Sequence, residues 1–170
     1  RIEGRTVIVN NGTINSNAAT SILKGAITNN GTINAQGSVE GNVTNAASKS
    51  FSLNGNLAQT GDFANAGTLA VSGGNLTQTG QLLNTSTITI SNNRSLTSSA
   101  VKNNTGGSMT VGDNATLSGT KLENNAAITV GAGGSVRSTS TTTGEDLTNK
   151  STGTISFNGA TGTANLSSGT

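Results

Sequence analysis

The 170 residues suit a single domain, and Gly, Asn, Thr and Ser, numbering 24, 24, 29 and 21, make up more than half of them. Cys and His are absent, which excludes a disulfide scaffold, a thiolate metal site and the commonest general base, so neither a cofactor nor a metal is expected. Nine Lys or Arg against seven Asp or Glu are spread thinly, with no aromatic platform and no long apolar run, so neither nucleic acid nor membrane insertion is expected.

In chain order, residues 2–5 read Ile-Glu-Gly-Arg, which resembles an engineered protease-cleavage linker; residues 1–5 are therefore set apart and 6–170 read as one repeat domain. No secretory signal is visible, as expected of a mature or excised segment. The repeat begins with an apolar residue placed two before an Asn: Ile8/Asn10, Ile27/Asn29, Val43/Asn45, Phe63/Asn65, Leu82/Asn84, Val101/Asn103, Leu122/Asn124 and Leu147/Asn149. A turn-like step such as Asn30-Gly31 or Ala66-Gly67 follows each Asn. An alternating strand comes next, with Ile14, Ile33, Phe51, Leu69, Ile88, Met109, Ile128 and Ile155 in one column. Two residues on, the same face carries Ser16, Ala35, Leu53, Val71, Ile90, Val111, Val130 and Phe157. A third column is expected at Ile22, Val39, Leu57, Leu76, Leu96, Leu117 and Val136.

Alternation with period two predicts strands, and a returning period of about 19 residues predicts a solenoid. The expected fold is all-β: a right-handed parallel β-helix of about eight coils with three short strands per coil, the hand following the parallel-crossover preference. At ~4.8 Å per coil the rod would stand roughly 40 Å tall. The absence of Pro agrees, since Pro removes a ladder donor from any strand it enters. The recurring Asn10, Asn29, Asn45, Asn65, Asn84, Asn103, Asn124 and Asn149 read as a corner ladder of stacked carboxamides; the alternative is an Asn row that binds a ligand.

Segments such as Asn29-Asn30-Gly31-Thr32-Ile33-Asn34-Ala35 and Asn65-Ala66-Gly67-Thr68-Leu69-Ala70-Val71 resemble the repeats of Gram-negative type V secreted exoproteins. The resemblance is to filamentous-haemagglutinin-like two-partner secretion adhesins and autotransporter passenger domains, over roughly 8–157. It implies a β-helical stalk, export to the bacterial cell surface or beyond, and roles in adhesion, aggregation or biofilm. A receptor or glycan on a host or neighbouring cell is the implied partner, with self-association as a further expectation.

An enzyme is not expected, because the acids Glu3, Glu40, Asp62, Asp113, Glu123, Glu145 and Asp146 are scattered. Only Glu145 and Asp146 adjoin, about one coil from Glu123 and near Lys121 and Lys150, as a surface salt-bridge cluster would. The stretch 138–146 lengthens one coil to 25 residues between ladder Asn. Within it Thr141, Thr142, Thr143, Gly144, Glu145 and Asp146 are the candidate binding loop, against the alternative of a tolerated surface excursion. Shorter irregularities at Ala46-Ala47-Ser48-Lys49 and Gly106-Gly107 read as corner adjustments. Outward pairs such as Thr68/Ala70, Thr87/Thr89 and Ser108/Thr110 approach a two-column Thr ladder. Two further function classes therefore stand beside the adhesin: a fibre subunit stacking through open β-helix ends, and an ice-binding solenoid.

Overall fold

A computed structural model describes residues 2–141, 147–159 and 165–167. Among them every regular element is a strand, nineteen in all, and no helix is present. The strands pair in parallel, each with its copy one coil away, and wrap into three faces. The first face includes Phe63–Asn65 and Gln81–Asn84; the second Thr68–Val71, Thr87–Ile90 and Ser108–Val111; the third Leu76–Gln78 and Ser135–Ser138. Some strands pass a corner unbroken, as Ser95–Asn103 does from the third face to the first. Eight ladder Asn are thus separated by seven complete turns of about 19 residues, and the chain is a β-solenoid.

Side-chain alternation puts the apolar columns inside. Ser108–Val111 runs exposed, buried, exposed, buried, and the other second-face strands of the middle coils follow it. Ile33, Phe51, Leu69, Ile88, Met109 and Ile128 form one buried stack, and Ile27, Val43, Phe63, Leu82, Val101 and Leu122 another. Each such side chain is covered by its own equivalents above and below, so a narrow core buries it fully, worth roughly 1.5–3 kcal/mol for each large aliphatic residue. Phe51 and Phe63 meet edge to face across the coil, with ring centres 5.1 Å apart at 77°.

The third face departs from the predicted column at two points. Leu23, not Ile22, is buried; Ile22 is half-buried and pairs with Ser38. Val39 pairs with Leu23 below and Gln59 above, so it stands one inward step beyond the leucine column, where Gly37 is the partner of Leu57. The cause is corner length: the first coil carries the exposed segment 17–20 before this face, whereas the second runs straight through from Thr32 to Glu40. A changed corner shifts the phase, and in a strand a one-residue shift turns a side chain to the other face. Phe157 holds its predicted register on Val130 yet is 46% exposed, since no described strand covers it on that side. Residues 2 and 3 continue the first strand, in register with Leu23 and Lys24.

The two short irregularities are corner turns. Lys49 N donates to Ala46 O at 3.1 Å and Gly107 N to Asn104 O at 2.8 Å, with Ser48 and Gly106 at φ 63° and 87°. The chain thereby absorbs two extra residues outside the rod while its strands keep register.

Candidate functional site

The predicted ladder forms without a gap. Each Asn donates Nδ2 to Oδ1 of the next: Asn10 to Asn29, Asn29 to Asn45, Asn45 to Asn65, Asn65 to Asn84, Asn84 to Asn103, Asn103 to Asn124 and Asn124 to Asn149, all at 2.8–2.9 Å. The second Nδ2 hydrogen goes to the backbone carbonyl that opens the second-face strand of the next coil, as from Asn29 to Ser50 O and from Asn65 to Thr87 O, both at 2.9 Å. In several coils Oδ1 also accepts the N–H two residues on, at Gly12, Gly31, Ser86 and Ala126. One side chain thus closes the turn and joins two coils. From Asn29 to Asn124 these carboxamides are buried, so the row is a structural spine with no free face for a ligand.

A second internal polar column was not foreseen. Gln59, Gln78, Ser98 and Ser138 point inward on the third face and bond corner carbonyls, Gln59 Nε2 to Gly41 O at 2.8 Å, Gln78 Nε2 to Gln81 O at 2.9 Å, Ser98 Oγ to Gly80 O at 2.9 Å and Ser138 Oγ to Thr120 O at 2.7 Å. The Oε1 atoms of Gln59 and Gln78 are buried without a hydrogen-bond partner. The signal was present: each residue lies two after a third-column apolar residue, where a second inward position belongs.

Outside the rod, isolated acids prove to be corner acceptors. Asp62 N donates to Asn42 Oδ1, and Asp62 Oδ1 in turn takes Gln81 N–H at 2.8 Å. Asp113 repeats the arrangement between Asn92 and Ala132, and Asn75 does so between Asn56 and Ser95. Spacings of 19 to 21 residues mark these exposed chains, which run parallel to the buried one.

Two surface features remain as places where a partner could sit. A shallow groove of about 350 Å³ is lined by Ala19, Gly37, Asn56, Leu57, Ala58, Asn75 and Thr77. It follows from the short second coil, only 16 residues between Asn29 and Asn45, set between coils of 19 and 20. The neighbours reach across it: Asn54 Nδ2 donates to Asn17 Oδ1 at 2.8 Å over 37 residues, skipping a coil. A smaller hollow of about 160 Å³ on the first face holds Gln81, Lys102, Lys121 and Glu123. There Lys102 Nζ lies 3.5 Å from Glu123 Oε1, which also accepts from Asn125 Nδ2 at 3.0 Å. The Asn125 bond, and then Lys102 and Lys150, hold the Glu123 carboxyl below its usual range.

Of the predicted binding loop, Thr141 is exposed and the other five positions, Thr142 to Asp146, lie outside the described residues. Leading into it, Ser138 and Ser140 are buried, Ser140 N donating to Ser138 Oγ at 3.2 Å. The outward second-face columns align as expected, Thr68 with Thr87 and Ser108, and Ala70 with Thr89 and Thr110. Ser, Asn and Ala interrupt the Thr, as at Ser50, Asn34 and Ala127. No protein-family model matches the chain, and no curated protein or solved structure matches it.

Proposed function

We propose that this chain is a non-catalytic structural and adhesive segment of a secreted or surface-anchored bacterial adhesin, a rod that mediates cell adhesion, aggregation or biofilm. The observation that supports it is the unbroken spine of seven Asn–Asn bonds beside three parallel faces. Every coil is tied to its neighbours through backbone and side chain at once, so bending the rod must break several bonds together. Such a body serves by geometry, holding a surface or loop away from the cell that carries it. A receptor or glycan on another cell is the proposed partner.

One feature favours a second reading, a fibre subunit. The ladder is one-way, each carboxamide donating toward higher residue numbers, so copies stacked head to tail would extend it without mismatch.

Sedimentation velocity over a range of concentrations, with negative-stain imaging and attachment of protein-coated beads to cells, tests both. A concentration-independent short rod that carries beads onto cells supports the adhesive reading. Fibres of rod width that grow with concentration support the second. Intact rods whose beads neither attach nor cluster overturn the adhesive role.

A further inference from the structure

Four Asn-Gly peptides stand in the sequence, at 11–12, 30–31, 54–55 and 158–159. Such a peptide is prone to spontaneous ring closure, because the glycine nitrogen meets no Cβ as it approaches the asparagine side chain. The deprotonated nitrogen attacks Cγ, a C–N bond closes the five-membered succinimide, the carboxamide C–N bond breaks, and ammonia leaves. Water then opens the ring to aspartate or isoaspartate. One carboxamide and one water become one carboxylate and one ammonium ion. In an unfolded chain the four peptides would age alike.

The fold separates them. Gly12 N–H donates to Asn10 Oδ1 and Gly31 N–H to Asn29 Oδ1, both at 3.2 Å. The nitrogen that must lose its proton is therefore engaged by a ladder carboxamide. Gly55 lacks this restraint. It falls in the register break where Leu53 pairs with Ala35 and Leu57 with Gly37, so 54–56 have no strand partner below, and no side-chain carboxamide accepts its N–H. Exposure does not distinguish the sites, since Asn11, Asn30 and Asn54 are all exposed.

We propose that Asn54 is a self-deamidation site of the folded rod, while the ladder protects Asn11 and Asn30. The position has a consequence. The lost Nδ2 is the donor to Asn17 that spans the short coil, and the groove beside it has no ionisable residue in its lining. Ageing at Asn54 removes that donor and places a negative charge at the edge of a neutral groove, an irreversible change in what the groove can accept.

Peptide mapping by mass spectrometry on the folded protein, held at mildly alkaline pH and sampled over days, tests this, with the denatured chain as the intrinsic reference. Relative to that reference, Asn54 is expected to convert roughly ten times faster than Asn11 or Asn30, the rate equivalent of one net hydrogen bond. The variant Asn10→Ala removes the acceptor of Gly12 N–H and should bring Asn11 toward the Asn54 rate, leaving Asn30 slow. Equal rates at Asn54 and Asn30 in the folded parent overturn the proposal. An unchanged Asn11 rate in folded Asn10→Ala overturns the role given to the ladder. Should Asn10→Ala fail to fold, the parent's ratio of Asn54 to Asn30 decides.

Discussion

Asn124 donates Nδ2 to Asn149 Oδ1 at 2.8 Å across 25 residues, the same distance at which Asn29 meets Asn45 across only 16. The ladder is indifferent to the length of chain between its rungs. Corners such as 46–49 and 104–107 take two residues more than those after Asn29 and Asn84, and the rungs keep register across them. That separation of spine from loops lets a solenoid vary its surface while its core repeats.

The spine should be fragile at its centre. Asn84→Ala removes the acceptor of Asn65 and the donor to Asn103, leaving polar groups buried and unpaired. A loss of about 3 kcal/mol is expected, against less than about 0.5 kcal/mol for Asn34→Ala, whose bond to Asn15 is exposed. Urea denaturation of the two variants measures the contrast, and equal losses would sink the structural role of the buried row.

The core stack gives a second test. Ile88 is 0% exposed between Leu69 and Met109. Ile88→Asp places an unpaired charge there and should cost more than about 4 kcal/mol, while Ile88→Val should cost about 1 kcal/mol. Thermal melting compares both with the parent, and an Ile88→Asp variant that melts like the parent would mean that the register is wrong.

Coil-to-coil approach should be read directly by two glycines of one turn type. A Cβ on Gly31 would strike the Gly12 carbonyl, whereas one on Gly12 meets nothing within 4 Å. Gly31→Ala is expected to lose about 2 kcal/mol by overpacking and Gly12→Ala less than about 0.5 kcal/mol, as thermal unfolding would show.

Acid titration should isolate Glu123. Its carboxyl is held below the ordinary range by Asn125 first and the nearby lysines after, so the folded state favours the ionised form. The resulting stability is present above the unfolded pKa and is lost as pH falls through the lower folded value. The group is partly exposed, so the effect is less than about 1 kcal/mol. Glu123→Gln should lose that small contribution at neutral pH and match the parent once pH falls below the folded pKa, so its acid limb is flatter; a steeper acid limb would contradict the assignment.

Most of the fold was legible in the sequence, and for a specific reason. In a solenoid the neighbour that buries a residue is its own repeat about 19 positions away, so columns such as Ile88–Met109–Ile128 are at once a sequence pattern and a packing contact. The ladder Asn were readable on the same ground. Ile22 and Val39 were misplaced because corners of unequal length precede them, and no repeat-wise count carries phase across a corner of unknown shape. The inward Gln59 and Gln78 were hidden because polar residues are ordinarily assigned to the surface, while here they close corner carbonyls.

By itself, then, the sequence determined the period, the strand alternation, the inward columns of two faces and the spine of asparagines, since each of these is a local pattern repeated. Only the tertiary structure decided the phase of the third face, the use of Asp62 and Asp113 as corner acceptors, and the bridge from Asn54 to Asn17 over a shortened coil. Those features depend on how far each corner reaches in space, which is set by packing against the coils above and below.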